Sequence, residues 1–104
     1  MRFLLKCRIP MEEGNAAVRD GSLGQIIQSV MEDIKPEAAY FTDVDGARGA
    51  YFIVDIEEAS GLPAIAEPLF LGMGATIEAH LVMTPEDLQK ATPSLEQVAR
   101  KYSE

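Results

Sequence analysis

Apolar and polar residues alternate in four segments of the chain, and alternation with a period of two predicts β-strands. The four segments are residues 2–9, 38–44, 47–56 and 75–83. Asp45-Gly46 separates the second segment from the third and suits a two-residue type I′ hairpin turn. The pairs predicted across this hairpin are Val44–Ala47, Tyr40–Tyr51 and Asp43–Arg48. A three-residue turn with a bulge is the alternative, and it would shift this register.

Apolar residues at helical spacing predict a helix between the first two strands, over residues 16–34. Its stripe consists of Leu23, Ile26, Ile27, Val30, Met31 and Ile34. We predict that the segment before it is a loop in which Asn15 caps the helix. We also predict a break near Gly21, with a capping box at Ser22 that restarts the helix, and an end before Pro36.

The second half of the chain holds one more internal helix and a helical tail. Residues 62–71 are predicted to form a helix that bends at Pro68, because proline removes a backbone hydrogen bond. Residues 84–104 are predicted to form a tail of two short helices. These begin at Thr84-Pro85 and Thr92-Pro93, since proline is favoured in the first turn of a helix.

The predicted order β-α-β-β-α-β, followed by the tail, indicates a single α+β domain over residues 1–104. This is the order of a ferredoxin-like fold, an antiparallel sheet with both helices on one face. The residues predicted to face the helices are Phe3, Leu5, Cys7, Ile9, Phe41, Phe52, Val54, Ile56, Ile77 and Leu81. The opposite face, here the open sheet face, carries Leu4, Tyr40, Tyr51, Ile53 and Val82. Only the tail is left to cover these apolar residues, so we expect the open sheet face to bind a partner.

The composition restricts the kind of partner and site. With 9 basic and 17 acidic side chains and a net charge of -8, the chain is not expected to bind nucleic acid or an anionic membrane. One Cys and one His cannot build a structural zinc site, and no disulfide can form within the chain. Gly72-Met73-Gly74 lacks the third glycine of a dinucleotide fingerprint, so we expect no cofactor. The start of the chain is too briefly apolar for a signal peptide, and a cytoplasmic location is expected.

Three stretches of the chain resemble an uncharacterised bacterial family of the dimeric α+β-barrel superfamily. They are residues 35–41, 65–70 and 83–88, with the sequences KPEAAYF, IAEPLF and MTPEDL. The resemblance implies a homodimer in which two ferredoxin-like subunits bring their open sheet faces together. Relatives of the fold include muconolactone isomerases and antibiotic-biosynthesis-type monooxygenases, but a shared fold does not by itself indicate a shared chemistry.

Polar residues on the open sheet face form the candidate site. In the usual strand order of this fold, the first strand lies between the third and the fourth, which gathers cations, carboxylates and phenols on that face. The candidate ligand-binding residues are Lys6, Arg8, Tyr40, Tyr51, Asp55 and Glu78. His80 is the candidate acid or base. Its alternative roles are a hydrogen-bonded structural histidine and a haem ligand. An ion-pair network that sets the register of a dimer is the alternative for the whole group.

Two functions follow from these residues. The first is a small-molecule-binding or assembly module that acts as a homodimer and binds a small anionic or aromatic molecule. The alternative is a cofactor-independent isomerase or monooxygenase that acts on a small aromatic or lactone-like substrate. Whether the protein is an enzyme is left open by the sequence. Cys7 is expected to be a small buried residue and not a nucleophile.

Overall fold

The computed structural model describes residues 1–103. Its strands are β1 (Arg2–Arg8), β2 (Ala38–Val44), β3 (Ala47–Asp55) and β4 (Thr76–Leu81). Its α-helices are α1 (Met11–Asp20), α2 (Leu23–Ile34), α3 (Leu62–Met73), α4 (Pro85–Lys90) and α5 (Thr92–Tyr102). A short 3-10 helix, Ala59–Gly61, precedes α3.

The four strands form one antiparallel sheet in the order β2-β3-β1-β4. The β2–β3 hairpin has the predicted register, with Tyr40 opposite Tyr51 and Val44 opposite Ala47. Asp45 and Gly46 have φ angles of 48° and 82°, as a type I′ turn requires. The chain is therefore an α+β protein with an open antiparallel sheet, consistent with a ferredoxin-like fold.

The hydrophobic core lies between one face of the sheet and the helices. Leu5 and Phe52, on the two central strands, are buried together with Val30 of α2 and Leu69 of α3. The remaining core residues predicted from β1 and β3, Cys7, Ile9, Val54 and Ile56, are also buried, and Phe3 and Ile77 pack against the core while partly exposed. Alternation along the strands therefore identifies the face that packs against the helices.

Two predicted core residues are not in the core. Phe41 is 53% exposed and Leu81 is 63% exposed, although both lie on the helix-facing side of the sheet. They belong to β2 and β4, the two edge strands, while the core helices cover the central strands. Phe41 keeps one aromatic contact, with its ring edge-on to Phe52 at 6.1 Å between centroids.

The first helical segment differs from its prediction at its start. The helix begins at Met11, and Asn15 lies inside α1 instead of capping a later helix. Pro10, with φ fixed at -57°, is already suited to a helix start, and Glu12 and Glu13 lie where the helix dipole favours negative charge. The predicted break is confirmed at Gly21, which has φ of 78°.

The other helix ends follow their local signals with one exception. Ser22 precedes α2, but its side chain makes no capping hydrogen bond within residues 1–103; its backbone N–H donates to Asp20 Oδ1 at 2.9 Å. Thr84 does cap α4, because its Oγ1 accepts from the Asp87 N–H at 3.1 Å. The Thr84 N–H in turn donates to Asp87 Oδ2 at 3.0 Å, which completes a capping box.

The tail extends away from the rest of the molecule. No residue of α4 or α5 is buried. The molecule measures 61 × 27 × 20 Å, and its radius of gyration is 17.6 Å, against about 13 Å for a compact chain of this length. The tail therefore leaves the open sheet face uncovered.

Candidate functional site

The strand register brings four of the predicted site residues into one row across the open sheet face. Lys6, on the central strand β1, is opposite Tyr51 on β3 and opposite Glu78 on β4. Tyr51 is in turn opposite Tyr40 on β2. The row therefore runs Tyr40, Tyr51, Lys6, Glu78 from one edge of the sheet to the other.

Lys6 is held by two carboxylates. Its Nζ lies 3.0 Å from Asp45 Oδ2 and 3.2 Å from Glu78 Oε2. The hydrogen bonds that it donates to Asp45 and then to Glu78 raise the pKa of Lys6. Its positive charge is thus already balanced inside the chain, which leaves Lys6 poorly suited to attract an anionic ligand.

Asp45 is a site residue that the sequence assigned only to turn formation. It reaches Lys6 because the tip of the hairpin bends over the open sheet face. The bend occurs at Gly49, where a Cβ atom would lie 2.5 Å from Val44 Cγ2 and closer still to the carbonyl oxygen of Cys7. A glycine inside a strand is a signal for such a close approach, and it is the signal that could have placed Asp45 here.

Arg8 and His80 flank this row. Arg8 is partly buried beside Gly49 and Thr76, and it makes no ion pair with any residue of the described part of the chain. His80 is exposed on β4, with Nε2 3.8 Å from Glu78 Oε1. Arg8 is therefore the cation of this face whose charge is not balanced by a carboxylate within residues 1–103.

Asp55 lies away from the other candidates. It is opposite Arg2 at the far end of β1, about 13 Å along the strand from Tyr51. Its Oδ1 is 2.9 Å from the α-amino group of Met1, and the hydrogen bond from that amino group lowers the pKa of Asp55. The structure therefore does not bring Asp55 together with Lys6 and Arg8.

A cavity of about 540 Å³ lies on the other side of the sheet, between the β2–β3 hairpin and the first two helices. We call it the hairpin groove, and its apolar lining consists of Ile9, Met11, Leu23, Ile27, Phe41 and Ala47. The sequence analysis did not predict it, because Phe41 was assigned to a closed core. The uncovered edge strand is what opens this space.

Comparison with known proteins adds no relative to this description. Neither a scan of the chain against protein-family models nor a search of curated proteins finds a match. The resemblance carried by residues 35–41, 65–70 and 83–88 therefore stays a prediction. No helix within residues 1–103 has the length and apolar character needed to cross a membrane.

Proposed function

We propose that the protein is a homodimeric binding module in which two copies pack their open sheet faces together as a dimeric α+β barrel. The observation that carries this proposal is the uncovered state of that face. Leu4, Ile53 and Val82 are only partly buried there, and Tyr40 is 68% exposed. A contiguous apolar surface of this kind marks an interaction site on a soluble protein.

The polar row supports a ligand cavity between the two copies. Lys6, Glu78 and Asp45 carry charges whose burial in a dry interface costs more than their attraction returns. A hydrated space at the centre of the dimer avoids that cost, with the apolar residues around it in contact. Ligand sites have this composition, a mostly apolar wall with a few convergent polar groups.

The ligand that this cavity suits is a small aromatic anion. Arg8 supplies a guanidinium that no carboxylate in residues 1–103 neutralises, and a guanidinium binds a carboxylate or phosphate in a bidentate manner. Tyr40 and Tyr51 supply aromatic surface on the same face. A two-fold axis would present these groups twice around one cavity.

The dimer is tested by its mass in solution. We expect sedimentation equilibrium at micromolar concentration to give twice 11.3 kDa, and we expect Ile53→Glu to give the monomer mass. Leu71→Glu is the matched control, because Leu71 is 85% exposed on α3, outside the proposed interface. A monomeric wild-type protein, or a dimer that Ile53→Glu leaves intact, contradicts the proposal.

The ligand is tested by thermal shift with a panel of aromatic carboxylic acids and lactones. A ligand that binds only the folded state raises the melting temperature. We expect an aromatic acid to do so for the wild type, and Arg8→Gln to remove most of the shift. Arg19→Gln, at an exposed position in α1, should keep it. An equal shift in both variants would exclude Arg8 as the anion-binding group.

His80 supports the alternative function, a cofactor-independent isomerase or monooxygenase acting on an aromatic or lactone-like substrate. Its imidazole lies 3.8 Å from the Glu78 carboxylate on the same face, which is too long for a hydrogen bond. Histidine is the side chain that most often transfers protons in catalysis, and on this face it would border the proposed cavity. Once turnover of a substrate is found, we expect His80→Ala to reduce kcat by about 10²-fold or more. A variant with the wild-type rate would remove this role.

A further inference from the structure

The tail presents an apolar stripe that is more than half exposed in the single chain. The stripe is formed by Leu95, Val98 and Tyr102 of α5, which are 56%, 54% and 74% exposed. An isolated helix of 11 residues is marginal in water, so its stability must come from packing an amphipathic face against another surface. We call α4 and α5 together the C-terminal arm.

The position of the arm restricts which surface this is. The arm follows β4, and β4 and β2 are at opposite edges of the sheet. If two open sheet faces stack about a two-fold axis parallel to the strands, the strand order of one copy is reversed over the other. Each β4 edge then lies over the β2 edge of the second copy. β4 ends at Leu81, opposite Phe3, and the hairpin groove opens about 13 Å further along the strands, on the helix-covered side of the β2 edge. The two helices of the arm, about 25 Å long together, can span this distance around that edge.

We propose that the C-terminal arm of one copy docks in the hairpin groove of a second copy, with the α5 stripe against the apolar lining of the groove. The inference rests on the proposed homodimer and adds to it the segment that each copy exchanges. Both surfaces are apolar and exposed in the single chain: Met11 and Phe41 in the groove, Val98 and Tyr102 on the arm. One contact would therefore cover two otherwise unpartnered surfaces.

Charge is complementary across this contact. Residues 1–91 hold seven basic and fifteen acidic side chains, whereas α5 holds two basic and one acidic. Arg100 and Lys101, in the last turn of α5, make no ion pair with other residues of the described chain. Asp43 and Arg48 both line the groove, and Glu12 follows Met11 beside it. Arg48 donates from Nη1 to Asn15 Oδ1 at 2.8 Å, and the two carboxylates have no cation within 4 Å in residues 1–103. The basic end of the arm is thus suited to a rim with two carboxylates and one guanidinium.

The area needed for a stable dimer also favours an exchanged arm. Four strands about 4.8 Å apart and about 23 Å long give the open sheet face a footprint of roughly 440 Å². A specific interface buries about 800 Å² on each partner. A helix about 16 Å long and about 10 Å wide adds roughly 160 Å², and each copy contributes both an arm and a groove. The exchanged arms therefore enlarge the interface beyond what the two sheet faces provide.

Cross-linking between two variants that each carry one introduced cysteine tests the contact directly. Met11→Cys and Val98→Cys proteins are mixed and oxidised under mild conditions, and the linked peptides are identified by mass spectrometry. The native thiol does not interfere, because Cys7 is buried and burial raises its pKa to about 11. We expect the mixed 11–98 disulfide at a yield at least tenfold above that from Leu71→Cys with Val98→Cys, which is the matched control.

The outcomes distinguish this inference from the proposed homodimer. A dimer by sedimentation with no excess of the 11–98 link over the control overturns the arm contact and leaves the sheet-face dimer in place. A double variant, Met11→Cys with Val98→Cys, that links only within one chain also overturns it, because the arm then docks on its own groove. A monomer at every concentration overturns both proposals.

A charged residue in the stripe gives a second, independent measurement. We expect Val98→Glu to raise the dimer dissociation constant by at least tenfold, since it would place a carboxylate in the apolar groove. Gln97→Glu, on the neighbouring polar face of α5, adds the same charge outside the stripe and should change that constant by less than threefold. Equal effects of the two substitutions contradict the docking of the stripe.

Discussion

Gly49 lies within β3, at the point where the hairpin tip turns toward the open sheet face. A methyl group there would meet Val44 Cγ2 at 2.5 Å and press on the backbone carbonyl of Cys7, neither of which can move without shifting a strand. We expect Gly49→Ala to lower the free energy of unfolding by the roughly 1–3 kcal/mol of an overpacked core, or more. Denaturant unfolding measures this.

Gly24 provides the matched control for that substitution. It lies in α2, and a Cβ atom added to it would have no neighbour within 4 Å. Alanine is favoured over glycine in a helix by about 1 kcal/mol. Gly24→Ala is therefore expected to stabilise the protein by up to that amount, and a loss of stability comparable to that of Gly49→Ala would contradict the explanation by close approach.

Cys7 is a buried core residue whose burial raises the pKa of its thiol to about 11. Because the thiolate is the reactive form, we expect native protein to react with a thiol reagent at pH 8 at least a hundredfold more slowly than protein unfolded in guanidinium chloride. The absorbance of the released thiol product follows both rates. Equal rates would show that Cys7 is accessible in the folded state.

The neighbours of single residues could be predicted only where the strand register fixes them. Lys6 beside Glu78 follows from pairing β1 with β4, and the structure places them there. Asp45 beside Lys6 does not follow from alternation, because it depends on the bend at Gly49. Contacts made by a bent strand end are set by three-dimensional packing, which a period of two does not describe.

At the scale of elements, the capping box of α4 provides a pH prediction. The hydrogen bond from the backbone N–H of Thr84, and then that with the Thr84 hydroxyl group, lower the pKa of Asp87 from its ordinary value of 3.8. A carboxylate with a lowered pKa stabilises the folded helix above pH 3.8, and this contribution is lost as the pH falls through the lowered pKa. We expect α4 to fray in that range of pH.

Amide hydrogen exchange across residues 84–91 measures this fraying. Exchange of the Asp87 and Leu88 amides should accelerate as the cap is protonated, relative to the intrinsic rates at each pH. In Asp87→Asn the same amides should exchange faster at neutral pH than they do in the wild type. Lowering the pH should then cause no further increase beyond the change in the intrinsic rates. A wild-type profile that matches Asp87→Asn at all pH values would exclude the carboxylate as the stabilising group.

The order and type of the elements could be predicted from the sequence, whereas some of their ends and exposures could not. The hairpin register follows from one dipeptide, Asp45-Gly46, because a two-residue turn admits a single pairing. The predicted start of the first helix was wrong because the residues before Asn15 were treated as a loop, whereas Pro10 is suited to precede a helix that begins at Met11. The prediction that Phe41 and Leu81 are core residues was wrong, because alternation identifies a face of the sheet and not how far the helices extend over that face.

At the scale of the whole molecule, a dimer that shares its arms couples folding to association. If folded wild-type chains are present only as the dimer, each tenfold rise in protein concentration adds about 1.4 kcal/mol per dimer to its stability against unfolded chains. We expect the melting temperature of the wild type to rise with concentration between 1 and 100 μM, a range that we set for calorimetry. Ile53→Glu, expected to be monomeric, should melt at a temperature independent of concentration.

The net charge of -8 argues against nucleic acid and anionic membranes as partners of this protein as a whole. It does not describe how positive and negative side chains are distributed over each face of the fold. The sequence predicts that Lys6, Arg8 and His80 share the open sheet face with Asp55 and Glu78. In the structure Lys6 is balanced by Asp45 and Glu78, so the basic character of that face rests on Arg8. The net charge could be counted from the sequence. The ion pairs that neutralise Lys6 could not be predicted from it, because one of them forms only in the folded hairpin.

The 61 Å length of a single copy also determines how it moves through solvent. Frictional drag depends on shape as well as on mass, so an extended monomer sediments more slowly and leaves a gel-filtration column earlier than a sphere of 11.3 kDa. Two copies that fold their arms over each other lose that extension, and the frictional ratio falls as the mass doubles. Elution volume alone would therefore understate the proposed association, and a frictional ratio that falls with concentration in velocity sedimentation would be the hydrodynamic sign of exchanged arms.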